Sequence, residues 1–395
     1  MQRLRRGIFT YLKVRRAAAQ LPPCGGLPPA WGRALRLLMW GKTPEAAVVA
    51  RDLAVAGPPR PEFAARLGIL FLHLECPAEA AEQLRRAARL DPECALYRYW
   101  LGEALLRQGR WDEAEAAFTA GLRLAPEDPR LWLGKGRALL EAGRAQEALV
   151  HLDAAVAADP DRAAAWNERG LCLARLGLDR DAARSFRRAV TLDPDLGPAW
   201  ANLGITLEKI GEAEEAHRCL VRAQALAPGD PVVLHNVGHA LATLGRPAEA
   251  AEAFRRALAL EPHSAETLHN LGVCLLELGQ PGEALEVLER ALAASPGDPA
   301  VVLAYGRALE VQGRYPEALA AYRRGLEADP HHAGLVGQTA VCLFRMGDYR
   351  QAHAWFVRAR ALEPANRSHL WGQAACLERM GRAEEAVEFY NRALA

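Results

Sequence analysis

Nine prolines of this chain stand 34 residues apart: Pro92, Pro126, Pro160, Pro194, Pro228, Pro262, Pro296, Pro330 and Pro364. A fixed period of that length means one small structural unit copied in tandem, and it constrains the fold before composition is considered. With the proline as position 32, units begin at residues 61, 95, 129, 163, 197, 231, 265, 299, 333 and 367. Position 8 is glycine or alanine, position 20 is always alanine, and position 27 is alanine or glycine. Position 24 is bulky in every unit: aromatic at Phe118, Phe186, Phe254, Tyr322, Phe356 and Tyr390, leucine at Leu84, Leu152, Leu220 and Leu288. Position 15 is glycine from Gly109 to Gly381, and Glu75 is the exception.

Elementary physics turns this pattern into a hairpin. Apolar residues recur at steps of three and four, which marks one face of a helix. Glycine at position 15 suits the left-handed conformation that ends a helix. Proline at position 32 cannot continue a second helix. The spacing predicts helix A over positions 2–14 and helix B over positions 18–31. Small residues at positions 8, 20 and 27 let two backbones approach, and position 24 fills the space between them. One hairpin cannot cover its own apolar face, so the units must stack.

The pattern resembles the tetratricopeptide repeat. Trp200, Leu203 and Gly204 reproduce that family's W-x-x-L-G start; Trp132 and Trp166 keep the tryptophan and glycine but are followed by Lys135 and Arg169 where leucine is expected. The resemblance implies an all-α, right-handed superhelical solenoid of stacked antiparallel hairpins, with ten tandem units over residues 61–395. Residues 27–60 read as a degenerate further unit, with Gly41, Ala46 and Pro58 at positions 15, 20 and 32. Residues 1–26 read as a basic N-terminal segment and a Pro/Gly linker.

Charge narrows the function. The 49 basic residues nearly balance 48 acidic ones, which argues against a general nucleic-acid binder. The balance is uneven: residues 1–60 hold 11 Lys/Arg against 2 Asp/Glu. Leu4, Ile8, Tyr11 and Leu12 can share one face of a short helix ringed by Arg3, Arg5, Arg6, Lys13, Arg15 and Arg16. Such a helix would cap the first repeat or contact a membrane surface, and capping is the expectation because terminal repeats need cover. Eight cysteines without a C-x-x-C pair fit a reducing, cytoplasmic setting. No run of 18 apolar residues is present, so no segment reads as a membrane span. At the other end, Ala386, Phe389, Tyr390 and Ala393 are expected to form an uncovered apolar face suited to self-association.

By the resemblance, helix A lines the concave groove at positions 2, 5, 6, 9, 12 and 13. Position 6 holds Asn202, Asn236 and Asn270, then Gln338, although the chain has only six asparagines. Asparagine is a mediocre helix former, so these placements want a reason. A side-chain amide both donates and accepts, and can grip a peptide bond from either side. The row resembles the asparagine ladder in the superhelix of O-GlcNAc transferases. Position 5 adds Asn167, His235 and His269; position 9 adds His239, Arg137 and Arg307. The three histidines would line the groove; a metal site is the weaker alternative, because three histidines alone are an incomplete ligand set. Tyr99 and Trp100 near one end, with Arg107 and Arg130 close by, and Trp371 near the other could anchor ligand side chains.

There is no P-loop, no G-x-G-x-x-G after a strand and no G-x-S-x-G elbow, and no cofactor is expected. These features predict a protein–protein interaction scaffold that holds an extended peptide or helix in its groove. The alternative is the substrate-recognition part of a peptide-modifying enzyme of glycosyltransferase type.

Overall fold

A computed structural model describes every residue except Met1, Gly25 and Ala395, with side chains from Gly7 onward. The described residues form helices and no strand. α1 spans Gln2–Ala18, α2 Pro29–Met39 and α3 Thr43–Ala56; α4 (Pro61–His73) and α5 (Pro77–Leu90) then open a run of hairpins that continues to Leu394. The chain divides into two compact units, residues 1–206 and 207–395.

The helices lie one residue earlier than the spacing predicts. Helix A occupies positions 1–13 and helix B positions 17–30, as in Pro231–Thr243 and Pro247–Leu260. The reason is the first turn, whose N–H groups have no intrahelical partner, so proline is welcome there. Pro61, Pro129, Pro231 and Pro299 take that place in A helices, and Pro77, Pro247 and Pro281 in B helices.

Position 15 ends helix A as the sequence indicates. Gly279 has φ +70°, its N–H donates to the Leu276 carbonyl, and the Gln280 N–H donates to the Leu275 carbonyl. These two bonds make the αL-terminated cap that satisfies orphan carbonyls. Glu75 adopts the same left-handed conformation, at φ 59°, without glycine's freedom.

Inside each hairpin the small positions meet the large one. A Cβ on Gly102 would lie 2.5 Å from the Phe118 ring, and one on Gly238 would lie 2.7 Å from the Phe254 ring. The position-20 alanines are buried throughout, as are Phe118, Phe186, Phe254 and Tyr322. Burying one such ring stabilises by roughly 1.5–3 kcal/mol. The tyrosines at position 24 also find acceptors: the Tyr322 hydroxyl donates to Glu310 at 3.0 Å and that of Tyr390 to Glu378 at 2.9 Å.

Connectors are fastened by side chains. The indole N–H groups of Trp132, Trp166 and Trp200 donate to the carbonyls of Pro126, Pro160 and Pro194 at 2.7, 2.8 and 2.9 Å. Two of the repeats that lack this tryptophan use arginine instead: Arg290 donates to the Pro262 carbonyl and Arg358 to that of Pro330. Lys135 and Arg169 stand at the leucine position because they reach helix B. Arg169 pairs with Asp153 at 2.6 Å and donates to the buried Ser185 hydroxyl at 2.7 Å.

Within each unit, successive A helices touch one another, whereas no two successive B helices pack closely among the described residues. The A helices therefore form the inner face of each stack. α1 packs on α2 and α4, covering the first hairpins. The side chains of Arg3, Leu4, Arg5 and Arg6 lie outside the described residues.

At the C-terminal end the expected apolar face is different in detail. Ala386 and Ala393 are buried, because positions 20 and 27 face helix A of their own hairpin. Phe389 and Tyr390 are half-buried, Tyr390 against Trp371 with ring centroids 4.9 Å apart. Val387 and Leu394 are the exposed apolar residues there.

Candidate functional site

In the unit of residues 207–395, helices Pro231–Thr243 and Ala265–Glu277 enclose a notch on the inner face. His239, Ala242 and Thr243 from the first helix and Asn270, Val273, Cys274 and Glu277 from the second line a cavity of about 180 Å³, with Phe254 at its base. These residues come from positions 6, 9, 10, 12 and 13 of helix A and position 24 of helix B. Asn236, Asn270 and Gln338 are half-buried. The side-chain amides of Asn236 and Gln338 form no hydrogen bond with any described residue, while the Asn270 Oδ1 lies 3.2 Å from the His269 Nδ1. Amide groups thus remain free to bond a ligand.

The three histidines do not converge. His239 hydrogen-bonds Glu208, and that carboxylate holds the imidazole above its ordinary range. Glu208 also accepts from the Thr243 hydroxyl at 3.2 Å. His235 opens onto a separate cavity with Glu261, Ser264 and Thr267. Its Nδ1 lies 2.9 Å from the Thr267 Oγ1, and burial lowers its pKa. His269 turns to Asn270. No group of three or more potential metal ligands exists among the described residues, so the weaker metal reading gains no support.

In the unit of residues 1–206 the groove amides are already paired. The Asn202 Nδ2 donates to the Asn167 Oδ1 at 3.0 Å. Arg137 lies 3.3 Å from the Glu103 carboxylate and 3.9 Å from that of Glu168, whose carboxyl is pushed up by burial.

Tyr99 and Trp100 are less open than anchors should be. They pack edge to face at 5.1 Å, and Tyr99 also meets Phe118. The Arg130 guanidinium lies 5.5 Å from the Tyr99 ring centre and donates to Gln20 at 3.2 Å, so the chain's own N-terminal segment reaches this corner. Arg107 serves the scaffold: it donates at 2.7 Å to the Leu72 carbonyl, an otherwise unpaired group at a helix end. Arg175 repeats the bond to Leu140. Arg307 and Trp371 are exposed. Sequence reasoning misses Glu208, Thr243 and Glu277; positions 12 and 13 are the signal that could have found them.

The geometry defines a stack of helix hairpins with a polar inner face. Two tetratricopeptide repeat models match, one over residues 65–129, 105–151 and 133–197, the other over residues 241–306, 275–336 and 311–372. The chain belongs to the tetratricopeptide repeat family, and such chains are protein–protein interaction scaffolds that are generally non-catalytic. None of the curated proteins matches it. Among solved structures it is similar to the Cut9–Hcn1 hetero-tetramer of the APC/C, at 17% identity and a TM-score of 0.52 over 87% of this chain and 82% of that one. It is also similar to YrrB, a TPR protein described as having an unusual peptide-binding site, at 25% identity and a TM-score of 0.44 over 50% of this chain and 99% of that one. The human IFIT1 dimer with PPP-AAAA matches at 17% identity and a TM-score of 0.48 over 98% and 94%. The first likeness shows the fold alone, and the other two are too loose to bear on function. None of the eight cysteines forms a disulfide with a described residue, and no helix among the described residues is long and apolar enough to cross a membrane.

Proposed function

We propose that the inner face of residues 207–395 holds an extended segment of a partner protein through its backbone. The notch between helices Pro231–Thr243 and Ala265–Glu277 carries this reading. It places the Asn270 amide, the His239 imidazole and the Glu277 carboxylate around a cavity sized for a side chain, and Asn236 stands on the same helix as His239 with its amide unpaired among the described residues. Donors and acceptors interleave there, which suits a peptide group that offers both. The direct test is photo-crosslinking from residue 273 inside the notch and, as a control, from residue 248 on the exposed side of helix B. Peptide adducts at 273 and none at 248 support the reading; the reverse pattern overturns it.

A further inference from the structure

The N-terminal helix has two different sides. Its inward side is seated on the fold: Val14 and Ala17 are buried, and a Cβ on Gly7 would lie 2.6 Å from the Gly41 nitrogen and the Leu38 carbonyl. Its outward side carries large apolar residues in water. Phe9 is 61% exposed, Leu12 54% and Ile8 41%. Positions 8 and 12 are one turn apart, so these side chains form a stripe. Lys13, Arg15 and Arg16 are exposed beside it, and none forms an ion pair with a described residue. The Lys13 ammonium lies 4.5 Å from the Phe9 ring centre. Trp40, 54% exposed, adjoins the same end, because its neighbour Gly41 abuts Gly7.

The sequence around the stripe is uniformly cationic. The first acidic residue of the chain is Glu45, and nine Lys/Arg precede it. Capping the first repeats explains the buried side of α1 and leaves the exposed apolar stripe unexplained. From this geometry we infer that the outward side of α1 docks on an anionic lipid surface. Apolar side chains enter the headgroup boundary while the flanking cations meet lipid phosphates, the division of labour in interfacial amphipathic helices. A folded protein partner would require carboxylates matched to particular arginines; unpaired cations with no interspersed acid suit a diffuse anionic surface better. The buried side stays on α2 and α4, so the helix docks without leaving the fold.

The test is co-sedimentation of the full chain with vesicles of phosphatidylcholine alone or mixed with phosphatidylglycerol. Two variants accompany it, Phe9→Ser/Leu12→Ser and Lys13→Glu/Arg15→Glu/Arg16→Glu, both keeping Val14 and Ala17, with helicity checked by circular dichroism. The expected result is binding to the mixed vesicles only, weakening as salt screens the charges, and at least a tenfold loss in each folded variant. Absence of wild-type binding, equal binding to neutral vesicles, or full binding by both variants overturns the inference. A dimer abolished by Phe9→Ser/Leu12→Ser without vesicle binding would give the face to a second copy. Binding of polyglutamate but not vesicles would give it to an acidic protein. Either result also overturns it.

Discussion

Asn202 donates its side-chain amide to the side-chain Oδ1 of Asn167, one repeat back, at 3.0 Å. Asn167 is only 7% exposed. Two groove amides therefore stitch neighbouring hairpins together, and this part of the asparagine row serves the scaffold. Replacing Asn167 by Ala should cost ~0.5–1.5 kcal/mol, the net value of such a bond. A denaturation midpoint equal to wild type would show that the pair contributes nothing.

Glu75 holds the left-handed conformation that glycine holds at nine other repeat ends. A side chain there costs about 1–2 kcal/mol, partly offset by glycine's greater freedom in the unfolded chain. Glu75→Gly should therefore stabilise by ~1 kcal/mol. A lower melting temperature would refute the assignment of a strained cap.

Position 20 tests the register. Ala250 is fully buried at the hairpin contact, while Ala248 is exposed on the same helix. Ala250→Leu should overpack the hairpin at ~1–3 kcal/mol, and Ala248→Leu should change little. Equal melting temperatures for the two variants would contradict this packing.

His239 supplies a pH dependence with a defined sign. Its folded-state pKa is raised, first by the hydrogen bond to Glu208 and then by the Glu208 and Glu266 charges, against opposing desolvation. The stability this contributes is fully present below the unfolded value near 6.5 and fades as pH rises through the raised folded value. His235, lowered by burial, works in the opposite sense: it takes stability away as pH falls through the unfolded value toward its folded one. An NMR titration should place the His239 midpoint above that of His235, and Glu208→Gln should bring it down. Coincident midpoints in the wild type would contradict the pairing.

The hairpin is legible in the sequence because every constraint on it recurs with the repeat: Ala216, Gly238 and Phe254 read the same way in each copy. Helix A starts at position 1 both with proline there, as at Pro61 and Pro231, and without it, as at Ala163 and Ala265; the prolines look like breakers yet fit at N1. The site is only half legible. Asn270 and His239 line one cavity, but side-chain direction decides the rest. His235 turns to Thr267, and Tyr99 is the seat of Arg130. Ala386 and Ala393 read as part of an open end, although their register is that of buried alanines or glycines in the other repeats.

Backbone binding by the inner face of residues 207–395, as proposed above, can be measured directly. Peptides selected from a random library on the wild-type protein give the probe, and fluorescence anisotropy gives Kd. Asn236→Ala/Asn270→Ala should weaken binding by roughly 5- to 150-fold, two contacts of ~0.5–1.5 kcal/mol each. Arg255→Ala/Arg290→Ala, on B helices, should leave Kd unchanged, because neither side chain lines the notch. An unchanged Kd in the asparagine variant, with loss in the arginine variant, would exclude backbone binding at this face.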